Sequence, residues 1–147
     1  MDAEYDVVIV GGGAAGLSAA IYTTRAQLKT LVVEQLMPGG QILNTSDIEN
    51  YPGFPEGVLG PAIGQAIHQQ AENTGTEFAF DQVIALDVVG DTKVVIGEER
   101  EYTTKTIIIQ MVTNVGAIGA NDFILSAVPL RLEGLDGSPA RVFAMVE

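Results

Sequence analysis

Tyr5 to Val10 is a continuous β-branched apolar run without alternation, the pattern of a strand buried on both faces. Gly11, Gly12 and Gly13 interrupt it at once, and the spacing that follows predicts an alanine-rich helix from Ala14 to about Ala26. Leu17, Ala20, Ile21 and Thr24 share one face of that helix. Thr30 to Val33 reads as a second buried strand ending in Glu34, followed over residues 35 to 60 by a long loop punctuated by Gly39-Gly40, Pro52-Gly53 and Pro55. A loop of that length inside a compact domain tends to be functional. Pro61 suits the first turn of a second helix, along which Ile63, Ala66, Ile67 and Ala71 recur at helical spacing and which Gly75 ends.

After Gly75 the apolar period changes from helical to two. Phe78 to Phe80, Val83 to Val89 and Val94 to Ile96 are predicted strands, with turns at Gly90-Asp91 and Gly97-Glu98, and Thr106 to Ile109 is a further short buried strand. From Gln110 the pattern differs. Two more β-like runs, Phe123 to Leu132 and Arg141 to Val146, flank a turn containing Gly134, Gly137 and Pro139. The expected fold class is α/β: a Rossmann-like βαβ unit with a parallel sheet and a small β-meander, plus a short β-rich C-terminal tail.

Composition narrows the functions this architecture can carry. With 147 residues, 47% hydrophobic and 18% charged, the chain can bury one modest core. Nineteen acidic residues against seven Lys and Arg give a net charge of −12, which repels phosphate backbones and anionic membranes, so neither nucleic acid nor membrane is an expected partner. The chain has no cysteine, which excludes a disulfide framework, a thiolate zinc site and a dithiol redox centre of its own. The one histidine, His68, has no visible catalytic partner and is expected at the surface or edge of its helix; no metal site is expected. The start MDAEYDVVIV lacks a basic n-region, and no run reaches the roughly 20 apolar residues of a membrane span, so a cytoplasmic location is expected.

The first thirty residues carry the clearest chemistry. Gly11-x-Gly13-x-x-Gly16 lies between a buried strand and a helix, with a second strand and then an acid beyond it. Gly11 permits the tight turn, Gly13 leaves room for a pyrophosphate, and Gly16 lets the helix approach the sheet. The first helical residues, Ala14 and Ala15 among them, offer free backbone N–H groups and the positive end of the helix dipole to phosphates. Glu34 is placed to accept hydrogen bonds from ribose hydroxyls and would repel a 2′-phosphate, disfavouring NADP here.

The loop separates FAD from NAD. The stretches VVIVGGGAAGLSAAIYTTRA, PGGQI, IENYPGFPEGVLGP and EFAFDQV, in order from Tyr5 to about Ile109, closely resemble the FAD-binding part of low-molecular-weight thioredoxin reductases. That resemblance implies FAD as cofactor, with Gly39, Gly40 and Gln41 lying along the flavin and ribityl chain. It also implies polar contacts from Gln41, Thr45 and Asn50 on the isoalloxazine side, and places the Val83 backbone by the adenine. Residues 1–109 would then form an FAD-binding domain that lacks the family's NADPH domain and Cys-x-x-Cys, and no residue in it is an evident catalytic acid, base or nucleophile.

At the end of the strand Thr106 to Ile109, the family continues into Ala-Thr-Gly and closes over FAD, whereas this chain reads Gln110-Met111-Val112, so that contact is expected to be lost or altered. The tail from Val112, including Thr113-Asn114, Ala127-Val128-Pro129-Leu130 and Glu133 to Arg141, resembles instead the C-terminal end of metal-dependent cyclase or kynurenine-formamidase-like hydrolases, without that family's metal motif. Residues 110–147 are therefore expected to supply strands rather than chemistry. The leading reading is an FAD-binding oxidoreductase module of the thioredoxin reductase class; a non-enzymatic flavin- or nucleotide-binding module and an inactive chimeric or truncated gene product are the alternatives. Uncovered sheet edges favour association with a second subunit or a second copy of the chain.

Overall fold

The structure is a computed structural model that describes residues 3–110 together with two strands at 124–129 and 140–145. The apolar run at the start forms β1 (Tyr5–Val10), followed by α1 (Ala14–Arg25) and β2 (Thr30–Glu34). A short 3-10 helix, Gly40–Asn44, precedes α2 (Gly60–Asn73). Then come β3 (Glu77–Phe80), β4 (Val83–Val89), β5 (Thr92–Gly97) and β6 (Glu101–Ile109). The two later strands are β7 (Ile124–Pro129) and β8 (Ala140–Met145).

Six strands run in the order β3-β2-β1-β6-β5-β4. β1 pairs in parallel with β2 on one side and β6 on the other, and β2 with β3, while β4, β5 and β6 pair antiparallel as the expected meander. Chain direction across the sheet reverses at β1, because β2 and β3 extend to one side and the meander returns on the other. In open α/β sheets the crevice beyond the carboxyl ends of strands at such a switch point is where ligands bind. β8 pairs with β6 at Ile108↔Met145 and with β7 as a hairpin, so the two predicted strands of the tail add to the same sheet. The intervening turn at Gly134, Gly137 and Pro139 lies outside the described residues.

Alternation along the strands divides the core into two layers. Val7, Ile9 and Val32 meet Leu17, Ala20 and Ile21 of α1 and Ile63, Ile67 and Ala71 of α2. Val8, Leu31, Val33, Ile107 and Ile109 face the other way, toward Val95 and Tyr102, with Val83 and Leu86 packed at the margin. This two-sided burial is why β1, β2 and the end of β6 read as unbroken apolar runs.

Three features depart from the sequence expectations. β6 begins at Glu101 rather than Thr106, because Tyr102 and Thr104 are buried by pairing with β5 although polar residues separate them. On α2, Ala66 is exposed and Gly64 takes a buried place, where a side chain would meet Leu43 and Ile42. The loop over 35–60 is not structureless: it contains the 3-10 helix, an antiparallel Ile48–Val58 bridge and an edge-to-face Tyr51–Phe54 contact at 6.1 Å.

Candidate functional site: a glycine cradle at the switch point

Gly11 ends β1 with φ at +101°, a conformation that costs an L side chain strain but suits glycine. Its N–H donates to the Val33 carbonyl at 2.9 Å, so the turn is anchored to β2 before α1 begins. Gly13 is the N-cap of α1 in extended conformation, with no side-chain cap and no acidic residue in the first turn. The first intrahelical bond, Leu17 N–H to Gly13 O, leaves Ala14, Ala15 and Gly16 as the N–H donors of the first turn, at the positive end of the helix dipole. Ala15 and Gly16 are buried, and a Cβ at Gly16 would run into the Gly11 carbonyl.

Glu34, at the end of β2, turns its carboxylate back onto this loop. Oε2 accepts the Gly12 N–H at 2.6 Å and Oε1 accepts the Leu36 N–H at 3.1 Å. A Cβ on Gly12 would stand 3.2 Å from Glu34, so the middle glycine of the triplet leaves room for this carboxylate. The Gly11-x-Gly13-x-x-Gly16 pattern does not require a glycine at position 12, and that surplus glycine is the sequence signal for a close neighbour there. Glu34 retains acceptor capacity beyond these two bonds, since an ionised carboxylate offers about four lone-pair sites.

The loop comes to the same place. Gly39 N–H donates to Gly12 O at 2.7 Å, and Gly13 and Gly39 form a parallel bridge. Gly39 adopts φ +123°, and a Cβ on Gly40 would lie only 3.0 Å from Gly13 Cα. The Gly39-Gly40 turn is therefore docked directly on the cradle. Behind it, Gly60 N–H donates to Thr45 O at 3.1 Å and Gly64 admits Ile42 and Leu43, so α2 holds the 3-10 helix in place. Gln41, Thr45 and Asn50 have exposed side chains on this loop.

Val83 starts β4 beside a register irregularity and is half-buried. Its strand is tied to the end of β2 through the Asp81 N–H, which donates to Glu34 O at 3.1 Å, and through the Gln35–Gln82 side-chain bond at 2.6 Å. Glu34 thus links the cradle on one side to the approach of Val83 on the other. The structure brings Gly11, Gly13, Ala14, Ala15, Gly16, Glu34 and Gly40 together.

Asp81 is buried behind this approach. Burial alone would push its carboxyl up, but the Glu99 N–H, the Tyr102 hydroxyl at 2.9 Å and the Arg100 N–H hold it below the ordinary carboxylate range. Tyr102 is itself pushed up to about 12, by burial first and by Asp81 second. These bonds brace the meander. His68 lies half-buried on α2, its ring edge-on to Phe78 at 4.8 Å and Nε2 at 3.8 Å from Glu72, which is a packing role. Among the described residues no cluster of His, Cys, Asp or Glu could hold a metal ion, and no helix is long and apolar enough to cross a membrane.

Comparison with known proteins gives this geometry its family. The sequence profile of the pyridine nucleotide-disulphide oxidoreductases matches residues 5–135, past the end of β6 and into the tail. The chain belongs to that family, whose members are FAD-dependent. Within it, the chain is similar to thioredoxin reductases: it is 44% identical over 105 residues to that of Bacillus subtilis, covering 71% of this chain and 33% of the relative. It is 48% identical over 104 residues to that of Rickettsia conorii, covering 70% and 34%. Among solved structures, Lactococcus lactis thioredoxin reductase superposes with a TM-score of 0.70 at 43% identity over 76% of this chain and 38% of its own. Thioredoxin reductase from Giardia duodenalis gives 0.68 at 30% identity over 90% of this chain and 38% of its own. The chain spans about a third of the length of the curated relatives it matches.

Proposed function

We propose that this chain is an FAD-binding module of the thioredoxin reductase class. The observation that carries the proposal is the convergence of Gly13, Glu34 and Gly40 at the carboxyl end of β1. At positions 13 and 16 a Cβ would collide with neighbouring atoms, so only glycine admits another group close to the first turn of α1, and the backbone donors there suit a diphosphate. In this reading Ala14, Ala15 and Gly16 N–H groups hold the pyrophosphate. Glu34 keeps lone pairs for ribose hydroxyls while bracing Gly12, and the backbone at Val83 lies along the adenine. The Gly40-Gln41 turn, Thr45 and Asn50 offer polar groups toward the flavin end.

When bound, FAD supplies the capacity to accept a hydride and pass electrons on, so the chain's own contribution is position and electrostatics. No catalytic residue is assigned. With no cysteine among the 147 residues, a dithiol relay would have to come from outside this stretch, as would a nicotinamide site. We assign residues 1–109 as the FAD-binding unit and 110–147 as a tail that adds strands to β6. Exposed Leu36, Met37 and Leu59 favour association with a second subunit or a second copy of the chain, and a cytoplasmic setting fits the acidic surface.

The test is the spectrum of protein purified after incubation with FAD. A retained two-banded flavin absorbance supports the reading, and bleaching by NADPH would separate an active reductase from a binding module. Colourless protein, with no retained flavin, would contradict both.

A further inference from the structure

The carboxyl end of β6 delivers one side chain to the cradle for which the dinucleotide reading has no use. Gln110 N–H donates to Val10 O at 2.8 Å, extending the β1–β6 ladder by one step. Its side chain therefore starts beside the turn: a Cβ on Gly11 would lie 3.2 Å from Gln110 Cβ. From there the amide folds over the first turn of α1. Oε1 accepts the Gly16 N–H at 2.7 Å, and Nε2 stands where a side chain on Gly13 would have to be. The amide fills the volume that the two glycines leave open.

A diphosphate seated on this helix end would take the same first-turn N–H groups. The Gln110 amide and the diphosphate therefore exclude one another. We propose that Gln110 is an affinity-setting plug of the dinucleotide cradle, an uncharged acceptor on Gly16 that must rotate away before the diphosphate of FAD is bound. The inference rests on the FAD reading of the cradle. Because the Gln110 backbone is fixed to Val10, opening requires only side-chain rotation. The apparent affinity falls by the fraction of molecules in which the plug is open. A short side chain at this position cannot reach Gly16, so it leaves the cradle permanently open.

The experiment is a fluorescence titration of the full chain with FAD, comparing the natural protein with Gln110→Ala and Gln110→Ser. Both variants keep the backbone ladder, and the serine variant carries the test should the alanine variant fail to fold. The expected result is tighter FAD binding in the variants by about fivefold, the factor set by one hydrogen bond of ordinary net strength. Equal binding, or weaker binding in the variants, overturns the plug and leaves the FAD reading standing. Absence of FAD binding in all three proteins contradicts the cofactor reading itself, and the plug falls with it.

Discussion

Glu34 Oε2 lies 2.6 Å from the backbone nitrogen of Gly12, joining the end of β2 to the middle of the glycine turn. The carboxylate holds the turn, and in the proposed reading its remaining lone pairs serve a ribose. Glu34→Ala removes both. The expected outcome is a loss of about 1.5–3 kcal/mol in urea unfolding, the scale of a hydrogen bond to a charged acceptor. FAD binding should weaken by about tenfold or more, measured by fluorescence titration, since the same class of bond is lost to the ligand. Unchanged FAD affinity in a folded Glu34→Ala protein would remove Glu34 from the site.

Gly16 is constrained by a different partner. An added Cβ meets the Gly11 carbonyl, which the helix cannot avoid without leaving the sheet. Gly16→Ala is expected to destabilise the protein by about 1–3 kcal/mol, as overpacking does elsewhere. It should also displace the turn that carries the phosphate donors, so FAD affinity falls together with stability. Chemical denaturation and FAD titration on the same preparation check both.

The helix layer can be tested without touching the cradle. Leu17 is fully buried between α1 and the sheet, whereas Tyr22, five residues on, is 74% exposed. Leu17→Ala should cost about 2–5 kcal/mol through lost burial and the cavity left behind. Tyr22→Ala should stay within about 0.5 kcal/mol, as for surface changes away from special features. Comparable losses at the two positions would contradict the packing of α1.

Asp81 and Tyr102 set opposite pH limits. The Asp81 carboxyl is held below its ordinary value in the folded protein, so its stabilising contribution is present above that value and is lost as pH falls through the folded pKa. Tyr102 rises from 10.0 to about 12, and so does Tyr5 through burial and the Glu77 carboxylate. Their contribution is complete below pH 10 and lost as pH climbs toward 12. Unfolding midpoints measured across pH should fall at both ends, and Tyr102→Phe should shrink the alkaline loss without removing the part due to Tyr5.

Local pattern carried most of this fold. β1, β2 and the end of β6 are readable because strands covered on both faces need unbroken apolar residues, and Gly11, Gly13 and Gly16 are readable because their spacing is local. What escaped was long-range. The first half of β6 is polar to the eye, and only pairing with β5 explains why Tyr102 and Thr104 are buried. Gly64 looks like a weak helix residue until Ile42 and Leu43 are placed against it. Gln110 follows the last apolar residue of its strand; that it reaches Gly16, 94 residues away in sequence, depends on the register of β6 against β1.

The central claim, that the glycine cradle binds FAD, is tested most directly by thermal unfolding of the purified chain across a range of FAD concentrations. A ligand that binds only the folded state must raise the unfolding midpoint progressively as its concentration exceeds Kd. The expected result is such a rise with FAD, reduced in Glu34→Ala and Gly16→Ala. A midpoint that does not move at any FAD concentration would contradict the account.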